Sequence, residues 1–257
     1  PAALGGSPLS AWTRDQKNVP GGGVLFDNML RFVADAEAGV RGVVWYQGES
    51  DQAPEQRRVY ARNFRSFVAD LRRSFGNPQL PVITVQLNRW VGDPDGAADR
   101  NWDGMREIQR RLARTMRHLF IISTIDLGLS DGIHTSSLGN VAIGHRAAST
   151  ALGGVFSRDV KFRHPDCIAA TRKSAKRIEL QFEHVDERLH FESVIPDEFP
   201  FLVRDTQGEV QIESWSIPKP DRFEIRLARP LQGKTVVIGA PGAFPPAVVP
   251  QDISGHR

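Results

Sequence analysis

The chain has 257 residues, 40% of them apolar and 25% charged, with a formal net charge of +3. That length supports one large domain or two ordinary ones with a real core, and the composition is that of a globular chain rather than a disordered or fibrous one. A single cysteine, Cys167, excludes an intrachain disulfide, and no apolar run approaches the roughly 18 residues of a membrane span.

In chain order, residues 25–38 predict a helix closed by Gly39, which feeds a strand over 42–46. Tyr60, Phe64, Phe67, Leu71 and Phe75 recur on one helical face, and Gly76 and Pro78 supply the stop. Residues 80–87 are β-branched and apolar, as expected of a buried parallel strand. Met105, Ile108, Leu112 and Met116 mark a further helix, and 120–125 a further strand. Ser137 is placed to N-cap a helix running to about Leu152. Alternating helices and strands argue for a parallel α/β sheet. From about 156 the period changes to two: Ile178, Leu180 and Phe182 alternate with polar neighbours, as do Phe223, Ile225 and Leu227. Short apolar runs follow at 201–203, 210–212 and 236–238, so a small antiparallel β unit is expected. The boundary is set between 157 and 158. Arginine far outnumbers lysine, but the arginines are spread along helices and read as solvated faces rather than nucleic-acid contacts.

Two polar clusters fall where a parallel α/β sheet binds ligands, beyond the carboxyl ends of its strands, and a third opens the chain. Gln47-Gly48-Glu49-Ser50-Asp51 follows the 42–46 strand. Asp131-Gly132-Ile133-His134 follows the 120–125 strand. In a tight turn of this spacing the carboxylate can accept the imidazole Nδ1–H, which leaves Nε2 free as a base; a plain capping role for Asp131 is the alternative. Gly5-Gly6-Ser7-Pro8 lies at the very start, where glycines let a backbone N–H approach a ligand, or simply make a turn.

Together the clusters resemble the sialate O-acetylesterase-type branch of the SGNH hydrolases, carbohydrate esterases that remove acetyl groups from sugar hydroxyls. The resemblance rests on Gly5-Gly6-Ser7-Pro8 with Trp12, on Trp45 through Asp51, and on Asp131-Gly132-Ile133-His134 followed by Ile143-Gly144-His145-Arg146. It spans about 140 residues in consistent order. It implies a flavodoxin-like parallel sheet followed by a small antiparallel β domain. It also implies a Ser-His-Asp mechanism without cofactor or metal, an acetylated carbohydrate as substrate, no nucleic-acid or membrane partner, and a periplasmic or secreted location. By the same resemblance His134 is the base, Asp131 its orienting acid, and Gly6 and Gln47 donors to the oxyanion. Glu49 is either a further acid partner of His134 or an anchor of its loop. Trp45 and Tyr46 are expected to pack the core and the loop.

The resemblance also implies a nucleophilic serine in a first block, ahead of the glycine turn, and this sequence opens on Pro1-Ala2 without such a block. The expectation is therefore an α/β domain incomplete at its N-terminus, with its nucleophile on another segment and this chain alone inactive. Ser50 is expected to be a loop hydroxyl, since Gly48-Glu49-Ser50-Asp51-Gln52 lacks the last glycine of a nucleophile elbow. Two alternatives are carried forward. One is a noncatalytic carbohydrate-binding protein. The other is a metal hydrolase using Asp131, His134 and His145.

Overall fold

The computed structural model describes residues 2–14, 21–36, 39–92, 99–191 and 199–252. Two compact units emerge, Pro1–Thr124 with Gly128–Phe162, and Ile125–Leu127 with Arg163–Arg257.

The first unit is the expected parallel α/β layer. Strands β1 (Val43–Tyr46), β2 (Val82–Val85) and β3 (Leu119–Ile122) pair in parallel, in the order β1-β2-β3. Their connections are the helices α2 (Pro54–Ser74) and α3 (Asp99–Thr115), preceded by α1 (Val24–Asp35) and followed by α4 (Ser137–Thr150). All four residues of β2 are buried, so both of its faces are covered, and its β-branched composition suits that position. Strand β1 is different: Trp45 is buried, whereas Val44 is 61% exposed. Among the described residues nothing pairs with its outer edge.

Helix α2 buries Tyr60, Phe64, Phe67, Val68 and Leu71, the face read from the sequence. Pro54 opens it. It closes as a Schellman motif, with Gly76 at φ +62°, Gly76 N donating to Arg73 O and Asn77 N to Arg72 O. The cap of α4 differs from expectation by one residue. Ser136, not Ser137, accepts from Gly139 N (3.1 Å), because the first helical bond runs from Asn140 N to Ser136 O. The strands are also shorter than expected, β2 covering 82–85 of the run 80–87 and β3 only 119–122. No strand forms among residues 2–14; Gly5 and Gly6 make a turn, and Leu9–Trp12 a short 3₁₀ helix.

The second unit is antiparallel. Strands β4 (Asp166–Ser174), β5 (Arg177–Glu183), β10 (Arg222–Leu227) and β9 (Ile212–Lys219) pair in that spatial order. Strands β11 (Val236–Gly239), β7 (Phe201–Asp205) and β8 (Gly208–Val210) form a second sheet, and β12 (Gln251–Asp252) with β6 (Leu189–His190) a third. Ile178, Leu180 and Phe182 face the core with Phe223, Ile225 and Leu227, as period two requires. The run at 210–212 is not one strand: Val210 ends β8, Ile212 begins β9, and the chain changes sheet at Gln211.

Candidate active site

The loops after β1, β2 and β3 converge with the glycine turn at residues 5–6. After β3, the chain makes a bridge between Leu129 and Thr135 and turns tightly in between. Asp131 Oδ1 accepts from Ile133 N and His134 N (both 2.8 Å), and Oδ2 lies 2.7 Å from His134 Nδ1. The backbone N–H of His134, then that of Ile133, then the imidazole hold the Asp131 carboxyl at about 2. An ionised carboxylate only accepts, so Nδ1 carries the proton and the Nε2 lone pair is available. The His134 side chain is 77% exposed, and among the described residues nothing hydrogen-bonds its Nε2. The turn is braced from behind. Val91 N, after β2, donates to Gly132 O (2.7 Å), and Arg146 Nη1 of α4 donates to Ser123 O where the loop begins (2.6 Å).

The loop after β1 is built on burial instead. Gly48 has φ +146°, and a Cβ there would meet Gln109 Nε2 and the Leu87 side chain, so only glycine fits between those elements. Asp51 is 6% exposed, and its Oδ2 accepts from Leu9 N (2.8 Å) and from Gln47 Nε2. Burial pushes its carboxyl up, while those two donors pull it back. Gln47 Nε2 also donates to Ser7 O (3.2 Å), and Gln47 Oε1 accepts from Tyr60 of α2 (3.2 Å). Gln109 of α3 then donates to Gln47 O (2.9 Å) and accepts from Leu87 N (2.9 Å).

Gln47, expected to donate to an oxyanion, is engaged inside the protein. Its amide nitrogen donates to Ser7 O and to Asp51 Oδ2, so the side chain braces the loop after β1. Gly6, at φ +69°, is exposed, and its N–H has no hydrogen-bond partner among the described residues. Ser50 Oγ donates to Gly6 O (2.9 Å), which ties the loop after β1 to the glycine turn and leaves Ser50 without a bond to His134. Glu49 is half-buried. Burial raises its carboxyl most, its own N–H and that of Gly48 lower it, and His134 lowers it further. Glu49 thus lies within electrostatic reach of His134 without hydrogen-bonding to it.

Trp45 packs as expected, edge-on to Trp12 (5.5 Å) and tilted on Phe67 (4.4 Å). Tyr46 does more than pack: its hydroxyl lies 2.9 Å from Thr135 Oγ1, which also accepts from Asn88 Nδ2 (2.9 Å). Asn88, Thr135 and Gln109 thus join the site's framework without having been singled out in the sequence, and Tyr60, read there only as part of an apolar face, joins through its hydroxyl. Asn88 lies in the loop after β2 and Thr135 directly follows His134, a detectable signal; Gln109 is an ordinary polar position of an amphipathic helix. Among the described residues no three His, Cys, Asp or Glu side chains are grouped to hold a metal ion, so Asp131, His134 and His145 do not form a ligand set.

Residues 1–153 match the family described as SASA, carbohydrate esterase, sialic acid-specific acetylesterase. An Arabidopsis thaliana protein named "Probable carbohydrate esterase At4g34215" is 26% identical over 157 residues, covering 59% of this chain and 54% of that protein. The crystal structure of a carbohydrate acetylesterase from Xanthomonas citri superposes with a TM-score of 0.72 at 21% identity, over 98% of this chain and 60% of the other. This second likeness bears on the fold, which it shares across nearly the whole chain. The chain thus spans little more than half the length of these relatives.

Proposed function

From the premise that the chain belongs to the sialic acid-specific acetylesterase family of carbohydrate esterases, we propose that it carries the base, its orienting acid and part of the oxyanion hole of a serine-type esterase acting on acetylated sugar hydroxyls. The observation that carries this reading is the Asp131–His134 pair, with Nδ1 held by the carboxylate and Nε2 open. In the reaction, His134 Nε2 takes the proton from a serine hydroxyl as its oxygen bonds to the acetyl carbonyl carbon. Asp131 keeps the tautomer and stabilises the imidazolium. In this reading the Gly6 N–H donates to the oxygen that becomes negative; a preorganised donor of that kind is worth about 3 kcal/mol in the transition state. Collapse breaks the bond to the sugar oxygen, which leaves with the proton from Nε2. Water then repeats the sequence on the acetyl-enzyme and releases acetate.

The attacking hydroxyl belongs, in this reading, to a segment that pairs with the open edge of β1. Two observations support it: the exposed Val44 at that edge, and the Ser50 hydroxyl being engaged with Gly6. Glu49 tunes the same imidazole electrostatically and anchors the loop after β1. The test is acetate release from an acetylated sugar by three proteins: this chain, its Ser50→Ala variant, and a chain extended by the segment with the first serine block. Turnover only by the extended chain supports the reading. Turnover by the bare chain that Ser50→Ala abolishes makes Ser50 the nucleophile and sinks it. The competing reading, a carbohydrate-binding protein without turnover, is favoured by the same engaged Ser50. It predicts that the extended chain binds acetylated sugar and releases no acetate.

A further inference from the structure

Helices α2 and α3 lie side by side and run in the same direction. Arg57 Nη1 donates to Asn101 O at the start of α3 (3.2 Å), and Arg65 Nη2 donates to Thr115 Oγ1 at its end (2.8 Å). Arg72 Nη2 donates to Arg117 O just beyond (2.6 Å). The Arg57 guanidinium packs directly over Gly104, where a Cβ would displace it. The two helices carry eleven arginines and five acidic residues, an excess of six, in a chain whose net charge is +3. The remainder of the chain is therefore net negative, and the positive charge is concentrated on this pair of helices.

Part of that charge is compensated locally: Glu107 holds Arg110 and Arg111, and Asp70 holds Arg73. Arg58, Arg62 and Arg65 are exposed, and none has an acidic partner among the described residues. Their spacing of four and three residues sets them on one face of α2, about 6 and 4.5 Å apart along the axis. That repeat is comparable to the rise of one pyranose in an extended chain. Ala61 and Ala69 stand between and beyond them, with no aromatic ring in the row for bases to stack on. The guanidinium fork matches a carboxylate. Helix α2 begins at Pro54, directly after the Glu49–Asp51 turn, so a polymer lying along it leads to the candidate site.

We propose that the exposed α2–α3 face is a docking track for an acidic polysaccharide, whose carboxylates engage Arg58, Arg62 and Arg65 while its acetylated residues reach the site. The nature of the partner rests on the esterase reading; the binding itself is measured without turnover. The probe is polygalacturonate, with uncharged dextran and a single-stranded oligonucleotide as comparisons. The double variant Arg58→Glu/Arg62→Glu touches neither the dyad nor the glycine turn. The native chain binds polygalacturonate and not dextran, with an affinity that falls steeply with added salt. The double variant binds at least tenfold more weakly at an unchanged melting temperature, and p-nitrophenyl acetate hydrolysis by the extended protein is unaltered. Undiminished binding by the variant, equal binding of dextran, or tighter binding of the oligonucleotide overturns the proposal. An inert extended chain that still binds polygalacturonate through these arginines overturns the esterase reading and leaves the track standing.

Discussion

The Asp131–His134 turn and the Gln47–Asp51 loop stand in the same candidate site and are built by opposite means. The dyad turn is local and exposed; its bonds join residues two and three apart, and the Asp131 and His134 side chains are 54% and 77% accessible. In the Gln47–Asp51 loop the two end residues are buried, and their bonds reach across 40 residues to Ser7 and 42 to Leu9. The contrast separates two requirements. A base needs a solvent-facing lone pair and one oriented partner, which a short turn supplies by itself. A backbone N–H held still for a developing charge needs its neighbours fixed, which takes a buried carboxylate and amide saturated by donors from several elements.

Substitutions in the two parts therefore have different readouts. On the esterase reading, in a chain extended by the first serine block, His134→Ala is expected to lower kcat/KM by about 10³-fold or more and to leave the melting temperature unchanged, since the exposed imidazole contributes little packing. Near-native hydrolysis of p-nitrophenyl acetate by that variant removes His134 from the mechanism. Asp51→Ala acts first on stability. It strands Leu9 N and one Gln47 amide hydrogen in a buried site, at a cost of about 1–3 kcal/mol. Urea denaturation should show this in the chain as it stands, with no substrate present. An unchanged midpoint would mean that the loop does not depend on its buried carboxylate.

Acid sharpens the contrast, because the two aspartates are shifted in opposite directions. The Asp131 carboxyl is held at about 2 in the fold. Its contribution is full above the ordinary carboxylate range near 4 and is lost as pH falls through about 2. The Asp51 carboxyl is raised by burial. Its charge-linked contribution is full below that ordinary range and is lost as pH rises through the raised value. Relative to Asp131→Asn, the native chain should lose stability on acidification from pH 4 to pH 2; relative to Asp51→Asn, it should gain stability on acidification from pH 7 toward pH 4. Denaturation series at each pH decide it, and parallel curves for the two variants contradict the assignment. The smallest effect is expected of Ser50→Ala. One exposed hydrogen bond to Gly6 O is lost, so stability changes by about 0.5 kcal/mol and turnover of the extended protein only a few-fold. A loss like that of His134→Ala would instead identify Ser50 as the nucleophile.

Several features were legible because short-range rules produce them. The apolar face of α2 follows from a period of 3.6, and the inward row of β5 from a period of two. The Asp131–His134 contact follows from a carboxylate meeting backbone N–H groups two and three residues on. Other features had no local signal. The motif containing Gln47 was plain in the sequence, but the direction of its amide was not: that depends on Asp51, Ser7 and Tyr60 competing for its hydrogens and lone pairs. Gln109 looked like any polar residue of an amphipathic helix until α3 was set against the loop after β1. The break at Gln211 was equally hidden, because a change of sheet leaves the apolar run intact.

By itself, then, the sequence determined the order of helices and strands, the change from parallel to antiparallel architecture, and the contact of Asp131 with His134. Each of these depends on residues a few positions apart, whose relative placement the backbone geometry already limits. Only the tertiary structure decided which polar groups were already satisfied. It engaged the Gln47 amide with Ser7 and Asp51, left the Gly6 N–H without a partner among the described residues, tied Ser50 to the glycine turn and set α2 beside α3. Those outcomes rest on donors and acceptors brought together from distant parts of the chain, where burial makes every unpaired group costly and so dictates which partners meet.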